Sequence, residues 1–203
     1  MAIVKISTSV TKLGAQIPSI NLPPIITCRS DAPCTHGCYA LKGNFRYKGV
    51  KNRLAENLVA YKENSKLFFD MIIEQTRLFK FCRWHSSGDI VDMKYLLGMC
   101  RVARKNKDVR YLCFTKKYEL VNQFLDEGHR IPKNLKIVFS CWKDFVPENP
   151  YNLPTTWVYF PKKGEDIYNY LIPEDAIPCS GKCYACQSCW TLQKNQSVVF
   201  RKH

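Results

Sequence analysis

The stretch "FKFCRWHSSGD", residues 79–89, decides the fold. Its first seven residues are short, apolar and aromatic-rich, which reads as a strand ending at His85. Ser86-Ser87-Gly88-Asp89 then reads as a turn. Its Asp89 stands where an N-cap is needed for a helix over roughly 90–106. The same unit recurs downstream. "VRYLCFT" (109–115) is a strand, and "KKYELVNQFLDEG" (116–128) is a helix closed by Gly128. "LKIVFSCW" (135–142) and "TTWVYF" (155–160) are further strands, with a short helix expected around 165–171.

Upstream, "VKNRLAENLVAYKEN" (50–64) sets Val50, Leu54, Leu58 and Tyr61 on one helical face. "SKLFFDMIIEQTRL" (65–78) reads as a second helix with Ser65 as N-cap. Residues 1–27 are extended and broken by Pro18, Pro23 and Pro24. Strands alternating with helices mean βα units and a parallel sheet covered by helices. The expected fold is therefore α/β: a single TIM-barrel-like (β/α) domain over residues 1–203, complete or degenerate, with an open sheet as the alternative. The 203 residues sit near the lower limit for a barrel. No repeat of fixed period, low-complexity tract or linker divides the chain.

Hydrophobic residues make up 46% of the sequence, enough for a packed core. No apolar run reaches the length of a membrane span, and the first residues lack the apolar segment of a signal peptide. The expected location is the cytoplasm. The formal net charge of +14 suggests an acidic partner, most often nucleic acid. The basic residues are nonetheless scattered, with only short runs such as "RKNK" and "FPKK".

Eleven cysteines are too many for an ordinary cytosolic domain, and an odd number cannot all pair. Cys82, Cys100, Cys113 and Cys141 sit singly in apolar segments and read as core residues. The other seven fall in two groups. Cys28, Cys34 and Cys38 have C-x5-C-x3-C spacing. Cys179, Cys183, Cys186 and Cys189 have C-x3-C-x2-C-x2-C spacing, followed by Trp190. Short spacings let thiolates curl around one inorganic centre, and the two groups, from opposite ends of the sequence, are expected to converge on it at the carboxyl rim of the sheet, with all seven cysteines as candidate ligands. Three cysteines in C-x2-C-x2-C register suit corners of an iron–sulfur cubane, with a fourth thiolate from Cys179 or from the first group. With no fourth ligand the cluster would hold three irons or one open iron. Zinc is the alternative, as a closed four-thiolate site. Cys179, Cys183 and Cys186 also match the C-x3-C-x2-C of radical S-adenosylmethionine enzymes. That motif follows the first strand in those enzymes, whereas here it comes last, with no Gly-rich segment placed to hold the cofactor.

"CRSDAPCTHGCYALKGNFRY" (28–47), "CRWHSSGD" (82–89) and "CYACQSCW" (183–190) together resemble the phage-encoded gene product 88 family. The resemblance implies a TIM-barrel-like protein of phage or prophage origin that holds an iron–sulfur cluster, 4Fe-4S or 3Fe-4S. It implies no settled biochemical role.

Ligand and catalytic groups of such folds gather at the carboxyl ends of the strands. There His85 reads as a proton donor, or as a hydrogen-bond partner of cluster sulfurs. Asp89 reads as its carboxylate partner or as a helix cap. Ser87 and Gly88 could form an anion-binding turn, and Lys116 with Lys117 could hold an anionic substrate. His36 is a spare ligand, and Trp142 and Trp190 are shields. Arg29, Lys42, Arg46 and Lys48, interleaved with Tyr39, Phe45 and Tyr47, suit a single-stranded nucleic acid.

Three functional readings follow. The first is an iron–sulfur protein that passes electrons to or from an unidentified partner, or acts on a small-molecule substrate beside the cluster. The second is a nucleic-acid-binding module stapled by zinc or a cluster. The third, most distant, is a radical enzyme.

Overall fold

The computed structural model describes residues 3–8, 10–159 and 172–201. Its frame is one sheet of seven parallel strands: β1 (Ser19–Ile20), β2 (Phe81–Trp84), β3 (Arg110–Thr115), β4 (Leu135–Cys141), β5 (Thr155–Tyr159), β6 (Ile177–Pro178) and β7 (Ser197–Arg201). The order across the sheet is β1-β2-β3-β4-β5-β7-β6. Five helices accompany it among the described residues: α1 (Lys48–Glu63), α2 (Ser65–Thr76), α3 (Met93–Lys105), α4 (Tyr118–Asp126) and the single turn α5 (Cys183–Cys186). The strands expected from the aromatic and β-branched runs are present. β1, β6 and β7 go beyond the expected strands, because Ser19–Ile20 and Ile177–Pro178 are too short to stand out and Ser197–Arg201 lies beyond the cysteines. The helix expected near 165–171 lies outside the described residues.

The pleat sends alternate residues to opposite faces, so each strand feeds two cores. Cys82 and Trp84 of β2, Tyr111 and Cys113 of β3, and Ile137 and Phe139 of β4 point one way. They pack against Tyr61 of α1, Phe68 and Ile72 of α2, Tyr95 and Met99 of α3, and Val121 and Phe124 of α4. Phe81, Leu112, Val138 and Val198 point the other way, onto Leu13, Ile17, Trp190 and Leu192. Among the described residues no long helix covers that second face. It is covered by the first residues of the chain and by the cysteine-rich segment after β6. Cys82, Cys100, Cys113 and Cys141 are all fully buried, as small core residues.

Two helix starts differ from expectation. Asn64, not Ser65, caps α2, its side chain accepting from the Leu67 N–H at 3.0 Å. Asp92, not Asp89, caps α3, accepting from the Tyr95 N–H at 2.8 Å. In each case a residue that precedes the first helical turn with extended φ presents its oxygen to the free N–H groups. Gly128, at φ +81°, follows α4 in the left-handed conformation that ends helices. No helix among the described residues is long and apolar enough to cross a membrane.

Candidate functional site

The turn after β2 is stitched to the segment after β1. The Asn21 side-chain oxygen accepts the Ser86 and Ser87 N–H groups at 2.8 and 3.3 Å. The Ser87 hydroxyl donates to the Leu22 carbonyl at 3.0 Å, and Leu22 N–H donates back to the Ser87 carbonyl at 3.0 Å. Gly88 has φ +84°, and a Cβ there would meet Leu22 and Thr27 atoms at 2.8 Å. Only glycine fits that conformation and that gap. The hydrogen bonds of Ser87 and the bareness of Gly88 thus hold two chain segments together.

Asp89 is buried at the end of this turn. Its Oδ1 accepts from the Thr115 hydroxyl at 2.6 Å and the Ile90 N–H at 2.8 Å, and its Oδ2 accepts from the Lys116 N–H at 3.0 Å. The carboxylate ties the end of β2 to the end of β3, and Lys116 meets it through its backbone. Burial raises the Asp89 pKa, and those three hydrogen bonds oppose the rise.

His85 has φ +60°, a left-handed conformation that few non-glycine residues adopt. The imidazole is turned into the helix-side core. There its Nε2 lies 3.2 Å from the Tyr95 hydroxyl and its Nδ1 lies 3.7 Å from Cys113 Sγ. Asp89 is not its partner. Burial, helped by the nearby Arg83 charge, pushes the His85 pKa down to about 3, so the ring is neutral at physiological pH.

The first cysteine group lies at this same carboxyl edge. Cys28, Cys34 and Cys38 are half-buried in a loop of short 3-10 turns. Tyr39 donates its hydroxyl hydrogen bond to the Ser86 carbonyl, and Thr27 Oγ1 accepts from Asp89 N–H at 3.1 Å. Arg29 anchors the loop to α4 through Glu119, at 2.6 and 2.7 Å, and also bonds Asp31 at 2.7 Å. Its guanidinium covers the Phe145 ring at 5.0 Å. That arginine is therefore committed within the chain. Burial pushes the Cys28 thiol up to about 11, with the Asp89 charge adding to the rise.

The second group is built differently. β6 ends at Pro178, and the chain then folds over the sheet's second face as Cys179, α5 and the 3-10 turn Ser188–Trp190. The Trp190 indole N–H donates to the Cys82 carbonyl at 2.9 Å, and the Cys183 N–H donates to the Lys12 carbonyl at 2.9 Å. These two bonds clamp the segment between the sheet and the N-terminal chain. All four cysteines, Cys179, Cys183, Cys186 and Cys189, line one small, partly open pocket, with Trp190 as a wall. Gly181 N–H points at Cys179 Sγ at 3.4 Å, and the Ser188 hydroxyl lies 3.0 Å from Cys186 Sγ. The Ser188 hydrogen bonds lower the Cys186 pKa. Burial raises Cys189 to about 12, with the neighbouring Cys179 and Cys183 adding to the rise.

All eleven cysteines are free thiols. Among the described residues, no three His, Cys, Asp or Glu side chains crowd around one point as a single bound ion would require. Sequence spacing picked out the four pocket thiols. It missed Arg83, whose guanidinium stands on the same face, and Lys12, whose carbonyl holds the segment.

The chain matches the family described as Gene product 88 over residues 4–195. It belongs to the gene product 88 family. No curated protein and no solved structure matches it. The family span takes in both thiol groups, the turn after β2 and six of the seven strands, stopping just before β7.

Proposed function

We propose that this gene product 88 protein binds an iron–sulfur cluster, 4Fe-4S or 3Fe-4S, through the cysteine pocket over the sheet's second face. The observation that carries the reading is that Cys179, Cys183, Cys186 and Cys189 line a single pocket. Their spacing of x2 and x3 residues supplies several thiolates from one short segment. Three x2 and x3 links in a row would crowd a single small ion, which favours a polynuclear centre over zinc. A zinc ion needs four sulfurs at about 2.3 Å from one point. A cluster gives each thiolate its own iron and sets the sulfurs further apart. The N–H to sulfur contact of Gly181 is of the kind that stabilises cluster sulfurs.

Such a centre would supply electron transfer or redox chemistry to an unidentified donor or small-molecule substrate. The chain's own part is to hold the thiolates, to keep water off one side with Trp190, and to present the Cys28–Cys38 loop at the edge of the sheet. In this reading the seven strands form a degenerate (β/α) barrel, and the protein works in a reducing compartment such as the host cytoplasm. In this reading Lys116 would meet an anionic substrate at the rim, with its backbone held by Asp89.

The test is anaerobic purification followed by iron and sulfide analysis. The protein is expected to be brown, with broad absorption near 400 nm typical of iron–thiolate centres. The double variant C183S/C189S is expected to lose the colour while Cys28→Ser keeps it. Colourless protein with stoichiometric zinc overturns the reading.

A second reading keeps the metal as a staple and makes the protein a nucleic-acid binder. Tyr39, Leu41 and Tyr47 are exposed beside Lys42, Arg46 and Lys48, which suits stacking on single-stranded bases. Titration with a single-stranded oligonucleotide at two salt concentrations tests it. Binding that weakens steeply with salt supports it, and the absence of binding removes it.

A further inference from the structure

Arg83 is a half-buried arginine on β2. It lies between Cys82 and Trp84, which face the helices, so the pleat sends it to the opposite face with Phe81. Its guanidinium packs over the Phe114 ring, 4.9 Å from the centroid. Its Nε is buried and has no hydrogen-bond partner. Among the described residues no carboxylate forms an ion pair with it. The side chain as a whole is half-buried, but a buried N–H left without an acceptor is costly, which is why such donors are nearly always partnered. An acceptor is therefore missing beside Arg83 Nε, and an anionic one would also meet the guanidinium charge.

The same face offers candidates of one kind only. Cys183 and Cys189 pack against the core cluster that holds Phe81 and Phe114. The Phe114 ring that carries the Arg83 guanidinium packs against that same cluster, beside the two cysteines. The Arg83 charge also bears on Tyr39, in the loop of the first cysteine group.

Resting on the iron–sulfur reading above, we propose that Arg83 is the counter-charge of the cysteine-held centre: a positioning residue that touches no substrate but balances the negative charge of the metal–thiolate assembly. Loading the pocket turns neutral thiols into thiolates and gives Arg83 the partner it lacks. Metal binding and the arginine are then thermodynamically coupled, each strengthening the other.

The experiment compares wild type, Arg83→Gln and Arg83→Lys in two states. Metal-free protein is melted under reducing conditions. It is then titrated with Cd²⁺ alone, followed by the ultraviolet band of cadmium–thiolate bonds, and melted again. Metal-free R83Q is expected to melt no lower than wild type, because an unpaired cation has been removed. Its Cd²⁺ affinity is expected to fall by about tenfold or more, the range seen when groups behind metal ligands are changed. R83K keeps the charge and is expected to recover part of that loss. In protein reconstituted with iron and sulfide, R83Q is expected to shift the cluster's reduction potential downward.

Equal Cd²⁺ affinity in wild type and R83Q overturns the inference and leaves the iron–sulfur reading intact. A lower melting temperature for metal-free R83Q, with no difference in the stabilisation gained from Cd²⁺, also overturns it and assigns Arg83 a structural role. Absence of any thiolate band in wild type removes both the inference and the reading beneath it.

Discussion

Lowering the pH from 7 to 5 should destabilise this protein through His85 alone by about 2 kcal/mol. The imidazole is 4% exposed, and burial holds its pKa near 3 against an ordinary value of 6.5. The depressed folded value means that the unfolded chain takes up the proton first. Stability is therefore complete above pH 6.5, is lost as the pH falls, and levels off near pH 3. At pH 5 the unfolded state holds about thirtyfold more protonated than neutral His85, while the folded state holds almost none protonated, which gives the ~2 kcal/mol. With a urea slope of about 2 kcal/mol/M, the unfolding midpoint falls by about 1 M. The assay is urea unfolding of metal-free protein at several pH values, compared with His85→Asn. Asparagine tolerates the left-handed backbone at this position but does not titrate. The variant will be less stable throughout, since it loses the contact with Tyr95, but its pH slope should be shallower by the stated amount. Parallel slopes for wild type and H85N would refute the burial argument and make His85 a titrating residue open to the rim.

Three further substitutions test the frame around the site. Asp89→Asn places an amide against at least one of the N–H groups that the carboxylate accepts; it should cost about 2 kcal/mol, measured as a shift in denaturant midpoint. Gly98→Ala should destabilise by about 2 kcal/mol in thermal unfolding: alanine favours α3 by about 1 kcal/mol, but its Cβ would lie 2.0 Å from the Phe69 ring. Trp190→Phe removes the indole hydrogen bond to the Cys82 carbonyl and should cost about 1 kcal/mol, with faster loss of cluster colour in air than wild type.

Much of the fold was legible because local rules decide it. Four strands and four helices were readable from apolar runs and helical faces, and the lone cysteines went to the core as small hydrophobes do. The errors fell where neighbours compete for one role. Two residues upstream of a helix can both cap it, and backbone geometry chose Asn64 over Ser65 and Asp92 over Asp89. β6 was invisible because two residues carry no periodicity, and its pairing comes only from β7.

By itself the sequence determined the alternation of strands and helices and the grouping of seven cysteines, since both are written in residue type and spacing. Only the tertiary structure decided what those groups face. The left-handed backbone at His85 turns its ring away from the rim, and β3 claims the Asp89 carboxylate. The pleat leaves Arg83 on the thiol side of the sheet, and the clamp by Lys12 and Trp190 lays the cysteine segment there too. Those outcomes depend on contacts between residues up to 171 positions apart, Lys12 and Cys183. No window along the chain contains them.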